Sequence, residues 1–497
     1  MAYSFHYKTI NDPVHGAIGL SEVEARLIAT PTFLRLMGLR QLGLTYMVFP
    51  GATHTRFAHS IGSMHVISRM IDAINNRCQT DALDFQIDDP TKQKLRLAAL
   101  LHDVGHYPLS HTTESVFYQV ANDKKASDQF EETDPVQPSH QTALNEMVSV
   151  GKIEEVSHEE LSKKIVSKRK DIKDILETAE YDPDEIGKII TSEEGSNKLH
   201  SQLIHSTLDA DRIDFLLRDS HFCGVSYGRV DINFIISNLR YDKISSMFAV
   251  DDKAIPAFEH YLLGRYFMYN NVYYHKTGQG FDLMASTLYY QMACEKQAVG
   301  DFNEVVNKME EDAWFLRFDD SYFWRSLHDW NPEHEYHKDL REHLLERIPL
   351  RVLSEERKLV PHGESANNHF VLNQDDQFDS RKFNKLLEGY GLGQDSVAIK
   401  SERTKLEVSP GRTDYQESVS DEDKRELGRV YEDFEFKDLI AVEHGIIRKL
   451  TDFTPHIRRL YAFDRKLTKI ERQKFKRPRI NRQMFEKDFR KVFNLSD

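Results

Sequence analysis

A mainly α-helical fold with a smaller mixed α+β lobe toward the C-terminal end is the class the sequence predicts. Three observations point to it. Apolar residues recur at helical spacing in segment after segment as far as residue 300. No series of alternating strand-like runs appears over that length. Beyond 300 the chain turns first aromatic and then polar, with short β-like runs. The expected organisation is a helical domain over 1–300 and an α+β lobe over 301–497.

Residues 22–45 carry apolar side chains at helical spacing, broken at Pro31 and Gly43, so two short helices are expected. The stretch "YMVFPGATHTR" (46–56) reads as irregular, with a Pro-Gly turn. Over 57–76, Phe57, Ile61, Met64, Ile67 and Ile71 share one face of an amphipathic helix. Residues 92–102 make a strongly apolar helix. The segments 140–150, 158–168, 183–192 and 200–218 also have a helical pattern, and 257–299 is expected as two helices. Further on, 349–360 and 435–442 look strand-like, whereas 362–379 and 391–424 are polar and read as loops. There is no internal repeat.

At 497 residues, 40% hydrophobic and 29% charged, the chain has the composition of a soluble globular protein of one large domain or two to three ordinary ones. No apolar run approaches the roughly 18 residues of a membrane span. The start "MAYSFHYKTINDPVHG" lacks a basic-then-apolar leader pattern. Cys78, Cys223 and Cys294 are odd in number and form no CxxC, as expected of free thiols in a reducing cytoplasm. A net charge of −14 argues against bulk nucleic-acid binding. Residues 458–491 run the other way, with fourteen Lys/Arg against four Asp/Glu; "RQKFKRPRINRQ" (472–483) is the densest part. A solvated or subunit-bridging face is the first reading of this stretch, and a phosphate or nucleic-acid contact the second.

The string "LLHDVGHYPLSH" (100–111) puts ionisable residues straight after a core helix. Adjacent side chains on an ideal helix diverge by about 100 degrees, so His102 and Asp103 converge on one ion only where the helix ends. Gly105 is the expected breaker. Two ligands do not complete a site. His59 and either Asp209 or Asp211 are the candidates from other helices. A mixed His/Asp set suits Mn²⁺, Fe²⁺, Ni²⁺ or Zn²⁺, whereas Mg²⁺ favours oxygen ligands alone. Such an ion polarises a phosphate and acidifies bound water. The imidazoles must be neutral, so binding weakens in acid.

Together with "FPGATHTRFAHSIG" (49–62), "DADRIDFLLRD" (209–219), "INDPVHGAIGL" (10–20), "QLG" (41–43) and "VYYHK" (272–276), this string resembles the HD-superfamily phosphohydrolases. More narrowly, it is similar to the deoxynucleoside triphosphate (dNTP) triphosphohydrolases, meaning the bacterial dGTPases and the enzymes that join a SAM domain to an HD domain. The likeness covers roughly 8–280 in order. It begins so near the start that no SAM domain is expected ahead of the motifs. It implies an HD-type helical catalytic core. It also implies a divalent ion (Mn, Fe, Mg, Ni and Zn not distinguished) held by His59, His102, Asp103 and Asp211. The implied reaction converts dNTP and water to deoxynucleoside and inorganic triphosphate, by attack at the α-phosphorus.

Carried over residue by residue, the resemblance implies that Arg56, Arg212 and Arg265 face the triphosphate. His106 and His111 fall near the α-phosphate, His140 at the proton donor and Glu114 at its acidic partner. Gln41 and Asp219 match positions that bind the 3′ hydroxyl, and Leu42 and Tyr273 close the space beside C2′. Phe215 stands where Tyr is frequent and lacks its hydroxyl. Gln141 replaces a common Glu beside His140, which implies a weaker acid step and a lower pH optimum. Ala29, Leu34 and Met37 replace the residues that read an activating guanine nucleotide, so that form of activation is expected to be absent. Lys8, Asn11 and Asp12 leave room for another nucleotide activator, a dNTP included, at a subunit interface. The family likeness implies a cytoplasmic homo-oligomer (dimer, tetramer or hexamer) in nucleotide-pool control or antiphage dNTP depletion. Two other readings stay open. One is an HD phosphohydrolase acting on a 3′ pyrophosphate, a cyclic dinucleotide or a nucleic-acid end; the other is a nucleotide or single-strand sensor without turnover.

Overall fold

The structure is a computed structural model that describes residues 5–129, 154–193, 197–243, 246–361, 380–390, 397–403, 429–432, 435–438, 453–463 and 482–492. His140, Gln141, the helix expected at 140–150 and most of the basic stretch 472–483 lie outside these residues.

The fold is mainly α. Six helices matter most for the site: α1 (Arg56–Thr80), α2 (Asp89–Leu101), α3 (His111–Gln129), α4 (His158–Lys168), α5 (Ala210–Cys223) and α6 (Lys276–Cys294). Helix α1 buries Ile61, Met64, Ile67, Ile71 and Ile74, the apolar stripe expected from its spacing. Helix α2 starts at Asp88, whose side chain accepts from Thr91 N, with Pro in its first turn. Its end, Leu95 and Leu97 to Leu101, is buried on all sides. Helices α2 and α5 both pack on α1, and α6 packs on α3.

The helix expected over 200–218 is two helices, Lys198–Ile204 and α5. Asp209 explains the break: its carboxylate accepts from Ser206 N and Arg212 N, ending one segment and capping the next. The pair expected over 257–299 is Ile255–Met268 and α6, joined through one π-type turn at Tyr269–Tyr273.

Two antiparallel hairpins before residue 300 were not expected. Lys8–Asp12 pairs with Gly16–Leu20, and Leu239–Asp242 with Met247–Asp251. Strands of four or five residues are too short for a period of two to stand out beside helical spacing. Another correction is Val397–Arg403, a strand inside the stretch read as a loop. It forms a three-stranded antiparallel sheet with Arg351–Pro361 and a central Phe453–Ala462. Its run "VAIKSER" is polar enough to hide the alternation. Within the expected strand 435–442, Glu435–Asp438 is a strand, and the rest lies outside the described residues.

One hydrophobic core runs from the first hairpin through the helices that follow residue 300. Leu20, Ile67, Phe315, Phe323 and Leu344 all belong to it. A smaller core joins Leu353 and Leu460 of the sheet to Leu387, Phe485 and Phe489. No described helix is long and apolar enough to cross a membrane.

Glu24 anchors the N-terminal segment to α2. It is fully buried and accepts from Ser21 N, from Gln93 Nε2 and from Arg96 Nε and Nη2. Replacing it by Ala leaves the Arg96 guanidinium buried and uncompensated. Glu24→Ala is expected to destabilise the fold by about 3–5 kcal/mol, measured as a lower midpoint in denaturant unfolding.

Candidate metal centre

Four side chains from three helices come together. His59 sits one turn into α1, His102 and Asp103 at the end of α2, and Asp211 in the first turn of α5. His59 Nε2 lies 2.9 Å from Asp211 Oδ1 and 3.7 Å from Asp103 Oδ2. His102 Nε2 lies 3.3 Å from Asp103 Oδ1 and 3.7 Å from Asp211 Oδ1. Adjacent residues His102 and Asp103 converge because the helix ends at Leu101. Gly105 serves a different purpose from breaking it: a Cβ there would collide with the His158 carbonyl and Ser162 N, so glycine lets α4 approach.

The cage fits a cation. His59 Nδ1–H donates to Asp214 Oδ2 at 2.8 Å, and His102 Nδ1–H donates to the Ala99 carbonyl at 2.8 Å. Each bond leaves the Nε2 lone pair turned inward, and both Nε2 atoms are buried without a hydrogen bond. These nitrogens and an Asp211 oxygen lie within 4.8 Å of one another. Burial opposes charging His59, but Asp211 and Asp214 outweigh it and raise its pKa to about 10. Burial likewise disfavours charge on Asp103 and Asp211. Arg56 and His102 nevertheless hold Asp103 well below the usual carboxylate range, and His102 and His59 do the same for Asp211. The cage therefore stabilises positive charge, whether as protons on imidazole or as a divalent ion. The two compete, so apparent metal affinity falls as pH falls. Asp209, the other candidate, points away and caps α5.

Beyond the cage stands a group of histidines. The His106 ring stacks on His158 with centroids 3.8 Å apart, and His111 stands edge-on to both at 5.0 and 5.4 Å. Glu114 Oε2 pairs with His111 Nδ1 at 2.7 Å, and its Oε1 accepts from His158 Nδ1 and His158 N at 2.8 and 2.9 Å. Burial, Arg56 and His158 hold the His106 pKa well below the ordinary histidine value. Burial opposes charge on His158 too, but Glu159 and Glu114 outweigh it and raise its pKa. Sequence reasoning missed His158. The signal that could have found it is "VSHEE": a His at the first helical position behind Ser157, which caps α4.

At the far end of α5, His54 Nε2 and Asp219 Oδ1 lie 2.7 Å apart, and Tyr273 donates its hydroxyl to Asp219 Oδ2 at 2.7 Å. Gln41 N bonds the His54 carbonyl, and Gln41 Oε1 is buried without a partner. Phe215 meets Tyr273 edge-on at 6.2 Å, and Leu42 packs against the core. Sequence reasoning also missed His54, which links Gln41 to Asp219. The three arginines separate. Arg56 Nη1 bonds Asp103 Oδ2 at 2.6 Å, and its other nitrogens reach Ser110 Oγ and the Gln41 carbonyl. Arg212 and Arg265 gather at one turn, bonding the carbonyls of Ser206 and Thr207.

The orientation of His59 by Asp214 can be tested directly. Asp214→Asn is expected to weaken Mn²⁺ binding by about 10- to 100-fold in calorimetric titration, while Asp209→Asn, away from the cage, leaves it nearly unchanged.

The HD domain family matches residues 56–217. The uncharacterized MG461 homolog of Mycoplasma pneumoniae is 32% identical over 53% of this chain and 55% of its own. Uncharacterized YwfO of Bacillus subtilis is 28% identical over 57% and 55%. The deoxynucleoside triphosphate triphosphohydrolase SAMHD1 homolog of Dictyostelium discoideum is 26% identical over 70% and 60%. The chain thus spans less than two thirds of these relatives' lengths. A solved structure of a hypothetical protein from Aquifex aeolicus superposes with a TM-score of 0.63 at 25% identity, covering 94% of this chain and 99% of that one. A phosphohydrolase from Bacteroides thetaiotaomicron shares the fold, with a TM-score of 0.62 at 23% identity over 91% and 99%. The four cage residues lie wholly inside the span 56–217 that matches the HD domain, and SAMHD1-type triphosphohydrolases are among the proteins this chain is similar to.

Proposed function

We propose that this chain is a metal-dependent hydrolase that converts a dNTP and water to a deoxynucleoside and inorganic triphosphate. The observation that supports this most is that one helix carries both the cage and the second polar group. Asp211 of the cage and Asp219 of the Gln41–His54–Tyr273 group sit about 12 Å apart along α5. A nucleotide has the same polarity, with phosphate at one end and sugar at the other. The SAMHD1-type relatives favour the same substrate class.

A divalent ion held by His59, His102, Asp103 and Asp211 would supply electrophilic activation of the α-phosphate and an acidified water. Arg212 and Arg265, fixed at the 206–209 turn, offset the charge of the triphosphate. The water oxygen bonds to the α-phosphorus, and the bond from phosphorus to the 5′ oxygen breaks. We place the proton donor for that oxygen at His158, which Glu114 orients from a fully enclosed position. His106, held neutral, and His111 line the same side. Gln41 and Asp219 take the 3′ hydroxyl. Leu42 and Tyr273 crowd C2′, where a ribonucleotide's extra hydroxyl would lie unpaired.

Chromatographic product analysis with the four dNTPs, singly and mixed, under Mn²⁺ and Mg²⁺ tests the reading. Triphosphate and deoxynucleoside in equal amounts are expected. No dNTP turnover, with pyrophosphate or a linear dinucleotide released from other substrates, would instead indicate a different HD phosphohydrolase.

The donor role has its own signature. His158 acts protonated, and its raised pKa keeps the proton on above the ordinary histidine value. Activity is therefore lost as pH rises through that pKa. Glu114→Gln removes one of the two carboxylates, Glu159 and Glu114, that raise it, so the alkaline limb should move to lower pH. His158→Gln should lower kcat about 100- to 10,000-fold, with Mn²⁺ binding retained.

A further inference from the structure

Asp214 has two imidazole neighbours. Its Oδ2 holds His59, and its Oδ1 lies 2.6 Å from His15 Nε2. His15 lines a cavity of about 490 Å³ together with Arg69, Ser220, His221, Arg229 and Asn233. Among the described residues, no aspartate or glutamate lines it. Arg69 Nη2 donates to Asn233 Oδ1 at 2.6 Å, and neither Arg69 nor Arg229 forms an ion pair among the described residues. Two guanidiniums without counter-ions, around a concave space with no acid in its wall, attract an anion. The guanidinium fork suits phosphate oxygens in particular.

We propose that this cavity binds a phosphate-bearing anion, and that His15 and Asp214 couple its occupancy to the metal affinity of the His59 cage. The anion competes with Asp214 for the hydrogen bond of His15. The same carboxylate orients the His59 ring, so its placement cannot change at one oxygen without effect at the other. Coupling of this kind is reciprocal: anion and metal alter each other's affinity by the same factor. The coupling rests on the metal role of His59; the anion site does not.

The full chain is titrated calorimetrically with inorganic phosphate and, separately, with deoxyadenosine monophosphate. Arg69→Gln combined with Arg229→Gln should weaken binding of the better probe at least tenfold, and Arg69→Lys should keep much of it. Arg212→Gln, at the 206–209 turn and outside the cavity wall, should leave that binding unchanged. Tighter binding of the monophosphate identifies a nucleotide ligand, and equal binding identifies free phosphate. Binding unaffected by the Arg69/Arg229 pair, or abolished by Arg212→Gln, overturns the site. For the coupling, Mn²⁺ affinity is measured with and without saturating phosphate. A change of at least threefold is expected in the wild type. None is expected in the Arg69/Arg229 variant or in His15→Phe, both still binding Mn²⁺. No change in the wild type, or a change that persists in the Arg69/Arg229 variant, overturns the coupling. If the wild type and His59→Ala bind Mn²⁺ alike, the metal reading fails, while the phosphate titrations still decide the cavity.

Discussion

Asp214 is enclosed on every side and still charged. Burial pushes its carboxyl toward neutrality, but Arg218, then His15 and His59, hold it well below the usual carboxylate range. Arg218 Nε and Nη2 grip both oxygens at 2.8 and 2.9 Å, and each oxygen also meets one histidine. A buried carboxylate left without partners would be strongly destabilising. With four charge-assisted contacts it becomes the fixed point of the molecule. Gly62 makes this possible, because a Cβ at that position of α1 would run into the Asp214 and Arg218 side chains. Arg218 also reaches Asp12 at 2.8 Å, so the first hairpin, α1 and α5 are all placed relative to one side chain.

The turn after the HD pair shows how distant segments support the cage. Leu109 and Ser110 both adopt positive φ, at 57 and 55 degrees, a backbone region that non-glycine residues seldom occupy. Such strain persists only where the surroundings over-determine it. Here Ser110 accepts from Arg56 and donates to the Arg40 carbonyl. Asp320, on a helix far along the chain, accepts from Leu109 N with one oxygen and from Arg40 N with the other. Burial raises the Asp320 pKa to about 6. One carboxylate therefore ties the strained turn to the segment that leads into Gln41 and Leu42.

The C-terminal sheet plays a comparable part near the Asp219 end of α5. Arg459, buried on its central strand, pairs with Glu355 at 2.5 Å. It also bonds the Tyr274 carbonyl and Gln279 Oε1, at the π-type turn and the start of α6. Tyr273 is the last residue of that turn. The position of its ring beside Phe215 and Asp219 thus depends on residues nearly two hundred positions away.

What the sequence by itself determined is local. Helical spacing marked α1, α2 and α4, because a buried stripe constrains residues three and four apart. The HD string was legible because ionisable groups rarely follow a core helix without a reason. Two kinds of feature were not. Short hairpins and a polar strand lack enough period-two signal to be read from one chain. Contacts between helices have no sequence spacing at all: His59 and His102 lie 43 residues apart, and His158 a further 56. Residue types alone left Asp209 and Asp211 as equal candidates. Only the packed structure decided that Asp209 caps α5 and Asp211 faces the cage, and that His158 stands against Glu114. Those outcomes depend on how close two helices can approach, which the small side of Gly62 and Gly105 and the grip of Arg218 on Asp214 settle in three dimensions.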